Sequence, residues 1–167
     1  MNVSTRSAQL SALLARVAKG EHLTHQIYGR IVLSGRAEQI PGLIACAGVA
    51  SLEDEKHYRS VLSSLSRLAS AGAGAPAAGD SVAWFESEDD SLTGLLRLVR
   101  RIEGELVRVY SEICALSLEF DYRVFDLAFC HLHDNAAHEG LLRDVLDARE
   151  RAGGRPNIDA FRSETPS

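Results

Sequence analysis

Six residues carry the chemistry this sequence can do: Glu21, Asp54, His57, Glu103, Asn135 and His138. Asp54 and His57 stand three apart, as do Asn135 and His138, so in a helix each pair projects from one face. Glu21 to Asp54 spans 33 residues and Glu103 to Asn135 spans 32, so an acid followed by an acid-or-amide-x-x-His motif occurs twice. Carboxylates with one imidazole per half make an oxygen-rich ligand set for two di- or trivalent ions. On core-facing stripes, and without cations, the same groups would be a heavy electrostatic burden. Tyr28 follows Glu21, and Tyr110 follows Glu103, at the same offset of seven. Two helical turns on, each phenol lies on its acid's face, where it can orient a ligand by hydrogen bonding.

Four helices must position these groups, over about 4–33, 41–71, 90–117 and 122–151. The apolar line of helix 1 runs Leu10, Leu14, Val17, Glu21, His25 (or Thr24), Tyr28 and Val32, with Ser34-Gly35 as its expected stop. Helix 2 opens at Pro41 and reads Leu43, Ala47, Ala50, Asp54, His57, Val61 and Leu65; Glu53 and Glu55 point about 100° to either side, toward solvent. Helix 3, capped at Asp90-Ser91, reads Leu92, Leu96, Val99, Glu103, Leu106, Tyr110 and Cys114. Helix 4 carries Cys130-His131-Leu132-His133-Asp134-Asn135-Ala136-Ala137-His138-Glu139, with His131, Asp134, Asn135 and His138 on the stripe of Val124, Leu127, Leu142 and Val145. Taken alone, that run also reads as a hydrogen-bonded polar cluster or a solvent-facing turn; the other three helices favour ligation. Equal separations bring Glu21, Asp54, Glu103 and Asn135 (or Asp134) to one height in an antiparallel bundle, a pseudo-twofold pair of hairpins.

Between helices 2 and 3 the Ala/Gly/Pro composition of residues 70–87 is that of a loop. About 17 extended residues reach roughly 55 Å and a 30-residue helix is about 45 Å long, so this segment can cross the bundle end to end, with Trp84 and Phe85 pinning it. Residues 1–152 thus form one all-α domain, and 153–167 read as a flexible tail. A net charge of −5 gives no reason to expect nucleic acid, and no apolar run approaches membrane-spanning length. Cys46, Cys114 and Cys130 form no disulfide framework and read as small buried residues; with a polar N-terminus, this points to the cytoplasm. His22 and His133 fall on surface faces, while Tyr58, Leu62 and Val109 are candidates for a dimer interface.

The segments Leu52-Glu53-Asp54-Glu55-Lys56-His57-Tyr58, Ser111-Glu112-Ile113-Cys114 and Phe125-Asp126-Leu127-Ala128 through His138-Glu139 resemble the ferritin-like superfamily, more narrowly the prokaryotic Dps-like ferritins called thioferritins. The Glu21…Tyr28 offset is similar to that of bacterioferritins. The resemblance implies a ferritin-like four-helix bundle with a long crossover, two irons per chain (Mn or Zn as substitutes), and ferroxidase-type oxidation of Fe(II) by dioxygen or hydrogen peroxide. It further implies iron sequestration, protection against oxidative stress, and a homo-oligomer, either a dimer or a cage. Glu21 and Glu103 would be terminal ligands, Asp54 a bridge, and His57 and His138 the nitrogen ligands. The family pattern has Glu where Asn135 stands, so Asn135 or Asp134 would be a weak ligand, with His131 and His25 as extra candidates. Two alternatives stay open: a scaffold whose metal site has decayed and which now serves as an interaction or structural protein, and a diiron oxidase acting on a small organic molecule.

Overall fold

The computed structural model describes residues 3–70 and 90–151, which form four helices: α1 (Val3–Ala37), α2 (Pro41–Ser70), α3 (Leu92–Ser117) and α4 (Tyr122–Arg151). Among the described residues there is no strand, and no helix is long and apolar enough to cross a membrane. The crossover, Trp84, Phe85 and the tail all lie outside the described residues.

Local chemistry sets the helix ends. α1 runs past Gly35, the expected stop, to Ala37. It closes on Gln39 at φ 57°, with Ile40 N–H donating to Gly35 O at 2.9 Å and Gln39 N–H to Arg36 O at 3.2 Å. This six-to-one and five-to-two pattern satisfies two end carbonyls, with a glutamine where glycine is usual. Gly35 serves packing instead: a Cβ there would lie 3.2 Å from the Ile44 side chain of α2. α3 begins as expected at Ser91, whose hydroxyl accepts from Gly94 N–H at 3.1 Å. Asp121 opens α4, accepting from Arg123 and Val124 N–H, while Arg67 of α2 donates to its other oxygen at 2.9 Å.

Contacts between helices fix the directions. Glu21 lies beside Tyr110 and Tyr28 beside Glu103, so α1 and α3 are antiparallel. His57 lies beside Asp134 and Ser60 beside His131, so α2 and α4 are antiparallel too. With each hairpin also antiparallel, α2 and α3 run the same way, and the end of α2 and the start of α3 lie at opposite ends of the bundle. One end is filled by Leu10, Leu14, Val17, Val61, Ile113 and Val124, the other by Ile31, Leu43, Leu96, Val99, Leu142 and Val145. A polar layer separates these apolar ends.

The stripes are displaced in places. Ile31 is buried and Val32 only half-buried, Ser64 and Leu68 are buried and Leu65 half-buried, and Ile113 is buried and Cys114 half-buried, since the 3.6-residue helical repeat drifts against a seven-residue stripe toward the helix ends. Val109 is fully buried inside the chain and is not available to a dimer interface, whereas Leu62 is exposed. Cys130 is exposed and Cys46 half-buried, so the reading of these two as buried residues is corrected, whereas Cys114 is half-buried and packs against the core.

Candidate metal centre

Each helix delivers its polar residues to the middle layer because its buried stripe turns apolar beyond them toward both ends: Val17 and Ile27 flank the polar turn of α1, Ala50 and Val61 that of α2, Val99 and Leu106 that of α3, and Ala128 and Leu142 that of α4. Glu21, Asp54, Glu103 and Asn135 are fully buried, and His57, His131 and His138 nearly so. They fall into two groups whose ligand atoms lie within 4.8 Å of one another: Glu21, His57 and His131, and Asp54, Glu103 and His138. In the first, His57 Nδ1 is 3.4 Å from Glu21 Oε2. In the second, His138 Nδ1 is 3.4 Å from Glu103 Oε1 and 3.6 Å from Asp54 Oδ1. These separations are long for hydrogen bonds, and two ligands each about 2.1 Å from one ion lie at a similar spacing, about 3.0–3.4 Å.

The polar atoms left over test whether an ion fits. Among the described residues, ten buried side-chain nitrogens and oxygens have no hydrogen-bond partner. Three belong to Arg16, Arg67 and Arg149. The other seven are Glu21 Oε2, both Asp54 oxygens, His57 Nδ1, Glu103 Oε2, Asn135 Oδ1 and His138 Nδ1. Buried polar atoms are ordinarily paired, and a cluster with every member short of a partner is what a cation would complete. The donor set of carboxylate, amide and imidazole suits iron, manganese or zinc.

The remaining atoms of the same residues are held from outside. Tyr28 donates to Glu103 Oε1 at 2.9 Å and Tyr110 to Glu21 Oε1 at 2.7 Å, as the shared offset of seven predicts. His57 Nε2 meets Asp134 Oδ2 at 3.1 Å, and His138 Nε2 meets Glu53 Oε2 at 2.9 Å. A carboxylate on one imidazole nitrogen fixes the ring and leaves the other nitrogen free to bind an ion. Glu53, expected in solvent, is therefore a missed residue of the centre. The signal was its position one before Asp54, matching Asp134 one before Asn135. Asp134 likewise holds the His57 ring instead of pointing into the polar layer.

Asn135 Nδ2 donates to Glu21 Oε1 at 3.1 Å and to the His131 carbonyl at 2.8 Å, which orients the amide and leaves Oδ1 unpartnered. His131 stacks on His57 with ring centroids 4.0 Å apart; its Nδ1 lies 3.1 Å from the Tyr110 hydroxyl and its Nε2 3.2 Å from Ser60 Oγ. His25 is elsewhere: its Nδ1 is tied to Ser51 between α1 and α2, so it is not brought to the centre, and Thr24 takes the buried place. His22 and His133 are exposed.

Ionisation follows from this crowding. Burial, reinforced by Glu103 and Glu21, pushes the Asp54 carboxyl well above the usual range. Burial also raises Glu103, although His138 pulls it back. Burial would lower His138, yet Glu103, Asp54 and Glu53 outweigh it and lift it to about 10. His57 is raised against its own burial by Glu21 and Asp134. His131, with burial and His57 both acting against its cation, drops to about 3 and is neutral. Both tyrosines are held protonated by burial and by the acids around them.

Two hairpins, α2 and α3 parallel, and a mid-bundle layer of acids and histidines define the class: the chain has the ferritin-like four-helix fold. It resembles the bacterioferritin-related protein of Bacteroides fragilis, described as a dodecameric thioferritin, with a TM-score of 0.68 and 20% identity over 92% of this chain and 90% of that one. In sequence it is 26% identical to the DNA protection during starvation protein of Pyrococcus furiosus over 92% of this chain and 89% of that protein. No family model matches.

Proposed function

We propose that this chain is a ferritin-like, cytoplasmic iron-handling protein that takes Fe(II) as substrate and oxidises it with dioxygen or hydrogen peroxide. The observation that carries the reading is the cluster of seven unpartnered buried atoms on six residues from all four helices. Glu21, Asp54, His57, Glu103 and His138, with the Asn135 oxygen, would hold two ions, and such ions would supply the electrons passed to the oxidant. The chain's own part is positional. Tyr28 and Tyr110 fix one oxygen of Glu103 and Glu21, while Glu53 and Asp134 fix the imidazoles, so each ligand atom is aimed in advance. The apolar ends of the bundle keep bulk water from the layer. The names of the two relatives support iron storage and protection, and a cage-like homo-oligomer is the assembly this reading adopts. The formal charge of −5 favours protection through iron chemistry over contact with DNA.

Glu103→Ala should abolish rapid Fe(II) oxidation while circular dichroism shows the helices intact; unchanged kinetics would end the reading. Asn135 favours one other reading, a scaffold whose metal site has decayed. That reading requires protein purified without chelators to hold no stoichiometric metal and to gain no thermal stability from Fe(II), Mn(II) or Zn(II).

A further inference from the structure

The two groups of the centre differ in chemistry. Asp54, Glu103 and His138 supply two carboxylates and one imidazole, and Glu21, His57 and His131 supply one carboxylate and two imidazoles. The pseudo-twofold that relates Asp54 to Asn135 relates Ala50 to His131, four residues earlier on each helix, and Ala50 is a buried methyl group. The α4 side has therefore lost a carboxylate and, one turn away, holds an imidazole that the α2 side lacks. Asn135 offers one free oxygen, and its nitrogen is spent on Glu21 and the His131 carbonyl, so it cannot bridge two ions as a two-oxygen carboxylate does.

We propose that the centre consists of two unlike metal positions, an oxygen-rich one at Asp54, Glu103 and His138 and a nitrogen-rich one at Glu21, His57 and His131, with His131 as a ligand. The proposal rests on the metal-binding reading above and deepens it. Geometry supports the ligand: the His131 and His57 rings stack, which sets their nitrogens side by side next to Glu21. The partners His131 has now are the hydroxyls of Tyr110 and Ser60. Each has a substitute: Tyr110 keeps Glu21, and Ser60 keeps the His57 carbonyl. Two carboxylates neutralise a divalent ion and suit Mn(II) and Fe(II). One carboxylate with two neutral imidazoles leaves a net positive charge and suits Zn(II), Co(II) and Fe(II) over Mn(II).

The test is anaerobic titration of the metal-free, full-length protein with Co(II) and, separately, Mn(II), followed by calorimetry and by the Co(II) visible absorption. Co(II) should bind in two distinguishable steps and Mn(II) in one. His131→Gln, which keeps hydrogen-bonding capacity, and His131→Ala should both weaken the second Co(II) step by roughly a hundredfold. Both should leave the first step and the Mn(II) isotherm unchanged, and the absorption band of the second ion should be lost. A residue that merely packs would not change the Co(II) spectrum. Two Co(II) ions bound identically by wild type and His131→Gln would overturn this proposal and leave the metal-binding reading standing. No binding of either ion would overturn both.

Discussion

In the α1–α2 hairpin the core line carries Glu21, Asp54 and His57; the matching positions of α3–α4 carry Glu103, Asn135 and His138. The supports match as well, and nearly all cross between hairpins. Tyr28 of α1 bonds Glu103 of α3, and Tyr110 of α3 bonds Glu21 of α1. Glu53 of α2 bonds His138 of α4, and Asp134 of α4 bonds His57 of α2. Neither hairpin can arrange its own ligands, so the centre exists once the two have docked. The hairpins differ in charge: Asp54 has two unpartnered oxygens, whereas the Asn135 amide has its nitrogen satisfied and one oxygen free. Symmetry has been kept in the supports and given up in the ligands, which lightens the electrostatic load of the metal-free fold on one side.

Making the hairpins alike tests that comparison most severely. Asp54→Asn would give both an amide and remove the carboxylate that, on the proposed reading, bridges two ions. Binding of two ions should be abolished, and the metal-free protein should gain about 1–2 kcal/mol, because a buried carboxylate held well above its usual pKa is replaced by a neutral group. Metal analysis together with urea denaturation reads both; two ions still bound would show that the bridge lies elsewhere. Asn135→Asp is the converse. It removes the amide bond to Glu21 and places another acid against it, which should cost the metal-free protein about 2–4 kcal/mol near neutral pH. Added Fe(II) or Zn(II) should restore more than that loss. An unchanged metal-free melting temperature would mean the two positions are not electrostatically equivalent.

The layout of the bundle was legible because periodicity and equal spacing are properties of the chain itself. Glu21, Asp54, Glu103 and Asn135 could be placed at one height before any contact was known. What lay beyond reach was set by the neighbouring hairpin. Glu53 sits about 100° off its own helix's stripe and becomes part of the centre only because His138 of α4 reaches it. Gly35 read as a stop because glycine ends helices, yet its bare backbone answers the approach of Ile44. Val109 read as surface on a single-stripe count, but α3 packs on both α1 and α4 and buries a wider arc, including Leu95, Leu98 and Ile113.

A smaller effect separates the hairpins by pH. His138 faces Glu53, Asp54, Glu103 and the edge of Tyr28, and its proton is held to about pH 10 in the folded metal-free protein, against 6.5 for an ordinary histidine. The folded state therefore binds that proton more tightly than the unfolded chain. The stabilisation is fully present below about pH 6.5 and is lost as pH rises toward 10. The metal-free melting temperature should fall across that window by something on the order of 5 °C. Bound metal, which needs the neutral ring, should flatten the fall. A flat metal-free profile would mean that the charged ring and its acids are not a unit.

The mildest perturbation asks whether the matched supports are equal in strength. Glu53→Gln and Asp134→Asn each remove a carboxylate from an imidazole nitrogen while keeping a hydrogen-bonding side chain of similar size. Each should weaken metal affinity by about tenfold, the lower end for a group that orients a ligand. They need not be identical. Glu53 supports an imidazole that already has Asp54 and Glu103 beside it, whereas Asp134 supports His57, which has Glu21 as its one other acid and His131 stacked on its ring. With fewer acids to hold its ring, His57 depends more on Asp134, so Asp134→Asn should have the larger effect. Paired binding isotherms measure the difference. An effect larger for Glu53→Gln would place the weaker half of the centre at His138, and the loss of a carboxylate at Asn135 would then have to act across the bundle instead of beside Glu21.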